Sequence, residues 1–389
     1  MNYLLIVSNL ILLVISFNLI RNRFLFRPLS SVPDTRLRGL PEGSYPEISV
    51  CIPARNEENN IARCVESLIN QEYVSYTIHV LDDNSDDGTG RILDTLASVY
   101  PDKLRVYRGR PKPEGWLGKQ WACHQLSEYA TGDLLIFADA DTWFEPDVLK
   151  KTASAFVNYG ADMITVWPRQ HLETFWEKLI IPLVYYALTG FLPTHYTFQK
   201  PLWMPAYFYG RFAPLFSAAC GQFIAFRSFA YHLIGGHVSV KADVVEDVEL
   251  AKLSRKNNLQ VLMLHGMETV NCRMYTNQRE IREGFRKNFL AGFGYNLPLF
   301  ILSAVGHIIV FVVPFLVPFF STNPAAILMS VSAISLIMLH RLLLAVWFKW
   351  NLAYALTHPL AVLWFQYLGI IVLADYLLKR NITWKKRAI

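Results

Sequence analysis

The sequence predicts an α/β domain with a mainly parallel sheet and membrane-spanning helices at both ends of the chain. Apolar, strand-like runs alternate with helical segments between residues 48 and 166, which is typical of a parallel sheet covered by helices. Long apolar runs stand near the beginning and the end of the 389 residues, and the hydrophobic share of 53% exceeds that of ordinary soluble proteins. We therefore expect one N-terminal span, a large folded domain and about three C-terminal spans.

The first apolar run, Tyr3 to Ile20, carries no charge and is long enough to cross a bilayer. Three arginines follow it within seven residues, so the positive-inside rule places its C-terminal end in the cytoplasm. A cleaved signal peptide is the alternative, but no basic residue precedes the run and no small-residue cleavage site follows it. Residues 1–27 are predicted as a transmembrane helix, and residues 28–47, with four prolines, as a linker.

The predicted domain covers residues 48–277. Its strands are expected at 48–52, 76–81, 104–107, 133–137 and 163–166, and its helices at 59–70, 87–99, 119–130 and 146–158. The alternation stops at residues 176–216, which hold twelve aromatic residues, five prolines and few charges. Such a segment is expected in the membrane interface, with an ordinary core insertion as the alternative.

The C-terminal part begins with residues 278–296, a basic amphipathic helix that suits the headgroup layer. The region 297–378 follows with three apolar stretches, each long enough to span. Arg341 and His358 interrupt them, so one stretch is expected either to re-enter or to hold these groups in a polar cavity. Three spans would leave the basic tail 379–389 outside, against the positive-inside rule; either one stretch does not cross or the tail is an exception.

Charge and cysteine content exclude some classes of protein. The net charge of +6 is concentrated beside apolar segments, which favours anionic membrane lipids as partners over nucleic acid. The five cysteines show no metal-binding spacing, which argues against a zinc site or a disulfide framework.

Two acidic clusters follow predicted strands. Asp82 and Asp83 come after the second strand, and Asp139 and Asp141 come after the fourth. Ligands of open α/β sheets bind beyond the carboxyl ends of the strands, and crowded carboxylates need a cation or hydrogen-bond donors among them. The pattern indicates a divalent metal, a nucleotide or both, although the first cluster alone could be a turn that caps the helix near Asp87.

Several motifs together resemble inverting glycosyltransferases of family 2, whose GT-A fold is Rossmann-like. They are Ile52-Pro-Ala-Arg-Asn-Glu-Glu58, Asp82-Asp-Asn-Ser-Asp-Asp-Gly-Thr89, Asp139-Ala-Asp141 and Glu246-Asp247. Three further motifs are similar to membrane-bound enzymes that act on carotenoids and hopanoid lipids: Trp116-Leu-Gly-Lys-Gln-Trp-Ala-Cys123, Ile234-Gly-Gly-His237 and Arg273-Met-Tyr275. The resemblance covers roughly residues 48–290.

A nucleoside diphosphate leaves during sugar transfer, and its charge is best neutralised by a carboxylate-bound Mg²⁺ or Mn²⁺. Asp141, together with Asp139, is the expected metal-binding residue, and Asp139 could also contact the ribose. Lys119 opens a predicted helix, where its ammonium and the helix N-terminus both favour a diphosphate; a solvated lysine is the alternative. The resemblance further implies that Asp83 accepts from uracil and that Ala54 and Glu57 line the base and ribose.

An inverting transfer needs one general base. The resemblance assigns this role to Asp247, with Glu246 as the fallback, while capping of the following helix is the structural alternative. His237 is expected either to line the acceptor site or to be a hydrogen-bonded structural residue. Gln222 lies in the strand that fits the family's acceptor-side wall.

Processive members of the family carry Gln-x-x-Arg-Trp before a transmembrane channel, whereas the matching stretch here, residues 278–285, lacks the tryptophan. A single transfer is therefore expected rather than polymer synthesis. It stays open which of Arg282, Arg286 and Lys287 contacts the diphosphate.

The sequence thus predicts a multi-pass protein of the cell membrane whose cytoplasmic domain transfers one sugar, expected to be glucose, from a UDP-sugar to a lipid such as a carotenoid or related isoprenoid. A polyprenyl phosphate, hopanoid or sphingolipid-type acceptor is the alternative within the enzyme class. A non-catalytic membrane scaffold is the alternative outside it.

Overall fold

A computed structural model describes residues 2–41 and 44–380, and the backbone of two short strands, Thr383–Trp384 and Arg387–Ala388. Residues 42–43 of the predicted linker and residues 381–382, 385–386 and 389 of the basic tail lie outside the described residues. The chain divides into two compact units. The helical unit comprises Met1–Leu25, Leu172–Pro193 and Tyr275–Ile389, and the sheet unit comprises Phe26–His171 and Thr194–Met274.

The sheet unit is built on one eight-stranded sheet. Its strands are β1 Ile48–Ala54, β2 Tyr76–Asp82, β3 Leu104–Arg108, β4 Leu134–Ala138, β5 Thr142–Phe144, β6 Met163–Gln170, β7 Phe223–Arg227 and β8 Val261–Cys272. The order across the sheet is β3-β2-β1-β4-β7-β6-β8-β5. Strands β1 to β4 pair in parallel, as do β6 and β8, whereas β7 runs antiparallel to both of its neighbours. The predicted mainly parallel sheet is confirmed.

Fifteen α-helices are described. They are α1 Asn2–Leu25, α2 Thr35–Arg38, α3 Ile61–Ile69, α4 Thr89–Val99, α5 Gly118–Tyr129, α6 Val148–Tyr159, α7 Phe175–Phe191, α8 Ala206–Phe212, α9 Ser228–Leu233, α10 Glu246–Lys256, α11 Gln278–Asn288, α12 Leu297–Phe311, α13 Val313–Phe320, α14 Pro324–Trp347 and α15 His358–Leu377. Apolar faces of α3 and α6 pack with β1, β2 and β4 into a core that contains Val50, Val65, Ile136 and Phe156, none of them accessible to solvent. This core fixes the ends of the strands on which the polar residues sit.

The helical unit contains the candidate membrane spans. Within the described residues, three helical stretches are long and apolar enough to cross a bilayer: Asn2–Leu25, Pro324–Trp347 and Leu352–Leu377. The predicted stretch 297–320 is instead divided between α12 and α13, which break at Val312 before Pro314. The 278–293 and 297–311 segments meet at 113° and would add a fourth span only if counted as one broken helix.

The aromatic segment 176–216 is divided between the two units. Its first part is α7, which belongs to the helical unit, and residues 194–216 belong to the sheet unit as α8 and short 3-10 turns. Thr174 and Glu177 begin α7 with a capping box. The buried Asn22 side chain of α1 donates hydrogen bonds to the carbonyls of Thr189 and Leu192, each at 2.7 Å. The domain predicted as 48–277 is therefore interrupted at residues 172–193.

Candidate active site

The polar residues of the sheet unit gather at one edge of the sheet. Parallel strands β1, β2 and β4 end there, which brings Ala54, Asp83 and Asp139 to the same side. Because β7 is antiparallel, its beginning lies beside the end of β4, with Phe223 opposite Ala138. Gly221 and Gln222 precede β7 and so reach the same edge. The site therefore depends on β7, which with β5 is one of the two antiparallel strands of the sheet.

The turn after β2 both precedes a helix that it helps to start and presents an acidic side chain at the sheet edge. Asp82 accepts a hydrogen bond from the Ser85 N–H at 3.0 Å and forms an ion pair with Arg108. Asp87 accepts from both the N–H and the hydroxyl of Thr89, at 2.9 and 2.6 Å, and so delays the start of α4 to that residue. Asp83 remains at the sheet edge, 4% exposed, with its N–H bonded to the Ala54 carbonyl at 2.8 Å. Asp82 and Asp87 thus hold the turn that presents Asp83.

The first motif supports this turn from β1. The guanidinium of Arg55 donates to the carbonyls of Asp83 and Asn84, at 2.5 and 2.9 Å. Glu57 accepts from the side chain of Asn60 at 2.9 Å, and its N–H donates to the Thr89 hydroxyl at 2.8 Å. The Ala54 side chain is buried in the core, so Ala54 reaches the site through its carbonyl, which already positions Asp83.

Lys119 is the cation at the centre of the site. Its ammonium lies 2.8 Å from an Asp139 oxygen and 3.0 Å from a Glu246 oxygen. Burial disfavours the charge, but the two carboxylates outweigh it and raise the pKa of Lys119 well above its usual value. The lysine is therefore charged at all physiological pH values. It is the second residue of α5, so the positive end of that helix stands beside it.

Asp247 has the properties of a proton acceptor. The N–H groups of Gly221 and Val248 donate to its two carboxylate oxygens, each at 2.8 Å. Burial and the negative charge of Glu246 raise the pKa of Asp247 to about 6, although Lys119 and the two N–H groups act in the opposite direction. At neutral pH the carboxylate is mostly ionised and still basic enough to take a proton in a transition state.

Gly221 fits between these two charged groups. A Cβ atom at this position would lie 2.9 Å from the Lys119 ammonium nitrogen and 3.4 Å from an Asp247 oxygen. Any side chain would therefore push Lys119 away from its present position. No motif in the sequence marks Gly221 as a site residue, and its role becomes visible only from the position of β7.

Asp139 and Asp141 lie on the tight turn between β4 and β5. The Asp139 carbonyl accepts from the Thr142 hydroxyl at 2.6 Å, which closes the turn. Burial and the Asp141 charge raise the pKa of the Cys272 thiol well above its usual range, so the thiol stays protonated and orients Asp141 through a hydrogen bond. Among the described residues, no three Asp, Glu, His or Cys side chains converge to hold a metal on their own. Two hard carboxylates on one turn nevertheless fit Mg²⁺ or Mn²⁺, which commonly completes its coordination with substrate phosphates and water.

Two predicted contact residues are buried. Gln222 is 2% exposed, accepts from Gln170 at 2.8 Å and donates to the Cys272 sulfur at 2.9 Å. These bonds indicate that Gln222 positions the turn rather than touching substrate. His237 lines a small cavity together with Lys119 and Asp139, and its Nδ1 lies 2.7 Å from the Tyr231 hydroxyl. Burial lowers the pKa of His237 to about 3, so it is neutral at physiological pH.

The three basic candidates of α11 belong to the helical unit. Arg282 is exposed, and Arg286 forms an ion pair with Asp375 of α15 at 2.5 Å. Arg286 is thus engaged inside its own unit.

Comparisons with known proteins found similar glycosyltransferases. Residues 49–219 match the model of the family described as Glycosyl transferase family 2. The beta-monoglucosyldiacylglycerol synthase of Trichormus variabilis is 35% identical over 141 residues, which are 35% of this chain and 30% of that protein. The 4,4'-diaponeurosporenoate glycosyltransferase of Staphylococcus aureus is 24% identical over 270 residues, 67% of this chain and 66% of that protein. The chain thus matches less than two thirds of the length of either relative.

The fold has a solved counterpart. A mannosyltransferase from Pyrobaculum calidifontis, in complex with GDP-Man and Mn²⁺, superposes with a TM-score of 0.55 at 15% identity. The match covers 96% of this chain and 100% of that one.

Proposed function

We propose that the chain is a family 2 glycosyltransferase, whose family model residues 49–219 match, and that it transfers one sugar from a UDP-sugar to a hydroxyl group of a membrane lipid, with inversion at the anomeric carbon. The observation that carries this proposal is the Asp247 carboxylate, held by two backbone N–H groups beside the Lys119 cation and given a pKa of about 6. A base of this strength suits removal of a proton from an acceptor hydroxyl.

The donor would lie along the sheet edge. Asp83 presents an acceptor at the end of β2, which suits a base with a ring N–H, such as uracil. Guanine also has a ring N–H, so GDP-sugars are the competing donors. Lys119 and the start of α5 supply positive charge for the diphosphate.

Transfer would proceed as a single displacement. As the acceptor oxygen bonds to the anomeric carbon, Asp247 takes the hydroxyl proton and the bond from that carbon to the diphosphate breaks. Asp139 and Asp141 would hold Mg²⁺ or Mn²⁺, which when bound offsets the charge on the departing diphosphate. Glu246 keeps Asp247 basic and shares Lys119 with Asp139. His237, being neutral, contributes to the floor of the site.

A lipid acceptor is supported by the helical unit and by the names of the relatives, which mention a diacylglycerol and diaponeurosporenoate. The arginines that follow α1 would place its C-terminal end on the cytoplasmic side. Because α14 runs parallel to α1, with Met329 beside Asn9 and His340 beside Ser16, α14 would end on that side too, and α12 and α13 would cross the bilayer before it. The sheet unit follows α1 directly and would therefore be cytoplasmic. A carotenoid or related isoprenoid is the proposed acceptor, with glucose as the sugar.

The test uses the full chain in lipid nanodiscs. Cell lipids are offered with UDP-glucose, UDP-galactose, UDP-GlcNAc or GDP-mannose, and products are identified by mass spectrometry and the anomeric configuration by NMR. A single hexose on an isoprenoid alcohol, formed from UDP-glucose, supports the proposal. Products that carry the donor's anomeric configuration, or that form only from GDP-mannose, would contradict it.

A further inference from the structure

A cluster of basic and polar side chains lies inside the helical unit, on helices that hold none of the residues named for sugar transfer. His340 of α14 is fully buried, with its ring nitrogens 2.6 Å from the Ser16 hydroxyl of α1 and 2.8 Å from the Tyr186 hydroxyl of α7. The Tyr186 ring lies 5.5 Å from the ring of His358, the first residue of α15. Four helices therefore contribute to one polar centre among apolar neighbours.

Two members of this cluster lack partners that their burial requires. Arg341 is 4% exposed; its Nη2 donates to the Tyr354 carbonyl at 3.3 Å, but its Nη1 is buried without a partner. His358 is 1% exposed, and neither of its ring nitrogens has a hydrogen-bond partner within the described residues. Buried polar groups of this kind cost free energy unless something pairs with them.

The charge of the cluster has one sign. The groups that act on His358 electrostatically are Arg341, His340 and His307, and all of them are basic. No carboxylate pairs with Arg341 anywhere in the part of the chain that the structure describes. The N-terminus of α15 adds partial positive charge, since Thr357 offers it no side-chain cap. A buried cation without a counter-charge calls for an anion.

The position and surroundings indicate what carries that anion. Arg341 lies six residues before the end of α14, roughly 9 Å along the helix axis, so it stands about midway between the middle of the span and its C-terminal end. Aromatic rings surround the cluster, with Phe311 at 5.2 Å from His358 and 5.8 Å from His307. A headgroup on an apolar chain fits such a place better than a free ion does.

We propose that the helical unit binds the phosphate or carboxylate headgroup of a lipid at Arg341 and His358, beside His340. The site is separate from the sugar-transfer site and does not depend on the function proposed for it. The headgroup oxygens would accept from Arg341 Nη1 and from the His358 ring, which gives both groups their missing partners.

The test is lipid binding and thermal unfolding of the full chain in nanodiscs. Discs of phosphatidylcholine alone are compared with discs that also contain phosphatidylglycerol or oleate, and with inorganic phosphate in the buffer. We expect the unfolding temperature of the wild-type chain to rise with phosphatidylglycerol or with oleate, and the larger rise identifies a phosphate or a carboxylate as the ligand. An equal rise with inorganic phosphate would overturn the assignment to a lipid.

Arg341→Met separates the site from general charge effects. Without anionic lipid the variant should be at least as stable as wild type, because an unpaired buried charge is removed. Its affinity for the anionic lipid should fall by about 10- to 100-fold, the loss expected for a charged hydrogen bond. Arg91→Gln removes an exposed charge from α4 of the sheet unit and should change neither property.

His358→Phe keeps Arg341 and provides a second variant should Arg341→Met not fold. It should also weaken binding of the anionic lipid. Wild-type lipid affinity in both cluster variants, or a wild-type chain that does not distinguish anionic from zwitterionic discs, would overturn the proposal.

Discussion

The pH dependence of transfer follows from the environment of Asp247. Its pKa of about 6 lies far above the ordinary value of 3.8, chiefly through burial and then through the charge of Glu246. A base must be deprotonated, so kcat/KM should fall as pH falls through 6, with about a tenth of its maximum left at pH 5 and about nine-tenths present at pH 7. An ordinary aspartate would leave kcat/KM nearly unchanged over the same range.

Glu246→Gln tests whether the charge of Glu246 raises the pKa of Asp247. Removing the neighbouring negative charge lowers the pKa of Asp247, so the acid limb should move to lower pH and the ratio of kcat/KM at pH 5 to that at pH 7 should rise. Glu249→Gln is the matched control, because it removes the same charge one turn along α10, where Glu249 pairs with Lys252. The profile is measured with a fixed lipid acceptor and saturating metal. An acid limb that lies near pH 4 in the wild type, or that Glu246→Gln leaves in place, would refute the reasoning.

Three further predictions concern the donor, the metal and the membrane. Gly221→Ala should raise the KM for the UDP-sugar several-fold, because the added methyl group displaces the Lys119 ammonium. Gly210→Ala is the control, because a Cβ atom there meets nothing within 4 Å and should leave the KM unchanged. Equal KM values in the two variants would contradict the role of Gly221. Excess EDTA or Asp141→Ala should abolish transfer, with Mg²⁺ or Mn²⁺ restoring the EDTA-treated wild type only, and undiminished turnover in EDTA would refute metal dependence. Trp203→Ser removes a 70% exposed ring from the 194–216 segment, and it should weaken transfer to lipid in nanodiscs while leaving UDP binding, measured by calorimetry, unchanged. Phe229→Ser is the control, because Phe229 is 60% exposed but lies outside that segment. Equal effects of the two substitutions would contradict a membrane contact at Trp203.

The sequence pattern was sufficient for what depends on neighbouring residues. The runs before Asp83 and Asp139 are short, apolar and followed by acidic turns, so both strands and their shared edge could be predicted, and the match of residues 49–219 confirms the family resemblance. A further local signal in the sequence concerns the start of α7. Thr174 and Glu177 have the spacing of a capping box, which marks the start of α7 inside the segment that was expected to lie in the interface.

Contacts between distant residues could not be predicted in this way. Lys119 lies between Asp139 and Glu246, which are distant from it in sequence. The neighbouring Asp247 is held by the Gly221 N–H, and Gly221 reaches this edge because β7 runs antiparallel beside β4. No local pattern specifies that crossing. The partners of Gln222 and Arg286, which are Cys272 and Asp375, are equally distant in sequence, so no local pattern indicates them.

The most direct test of the account compares sugar transfer with donor binding in Asp247→Asn. The asparagine keeps the size of the side chain but cannot take a proton, so transfer to a lipid hydroxyl should fall by about 10²- to 10⁴-fold. Binding of the UDP-sugar, measured by calorimetry with metal present, should stay within about twofold of wild type, because the base acts on the acceptor. Near-normal transfer by Asp247→Asn, or an equal loss of transfer and donor binding, would contradict the assignment of Asp247 as the base.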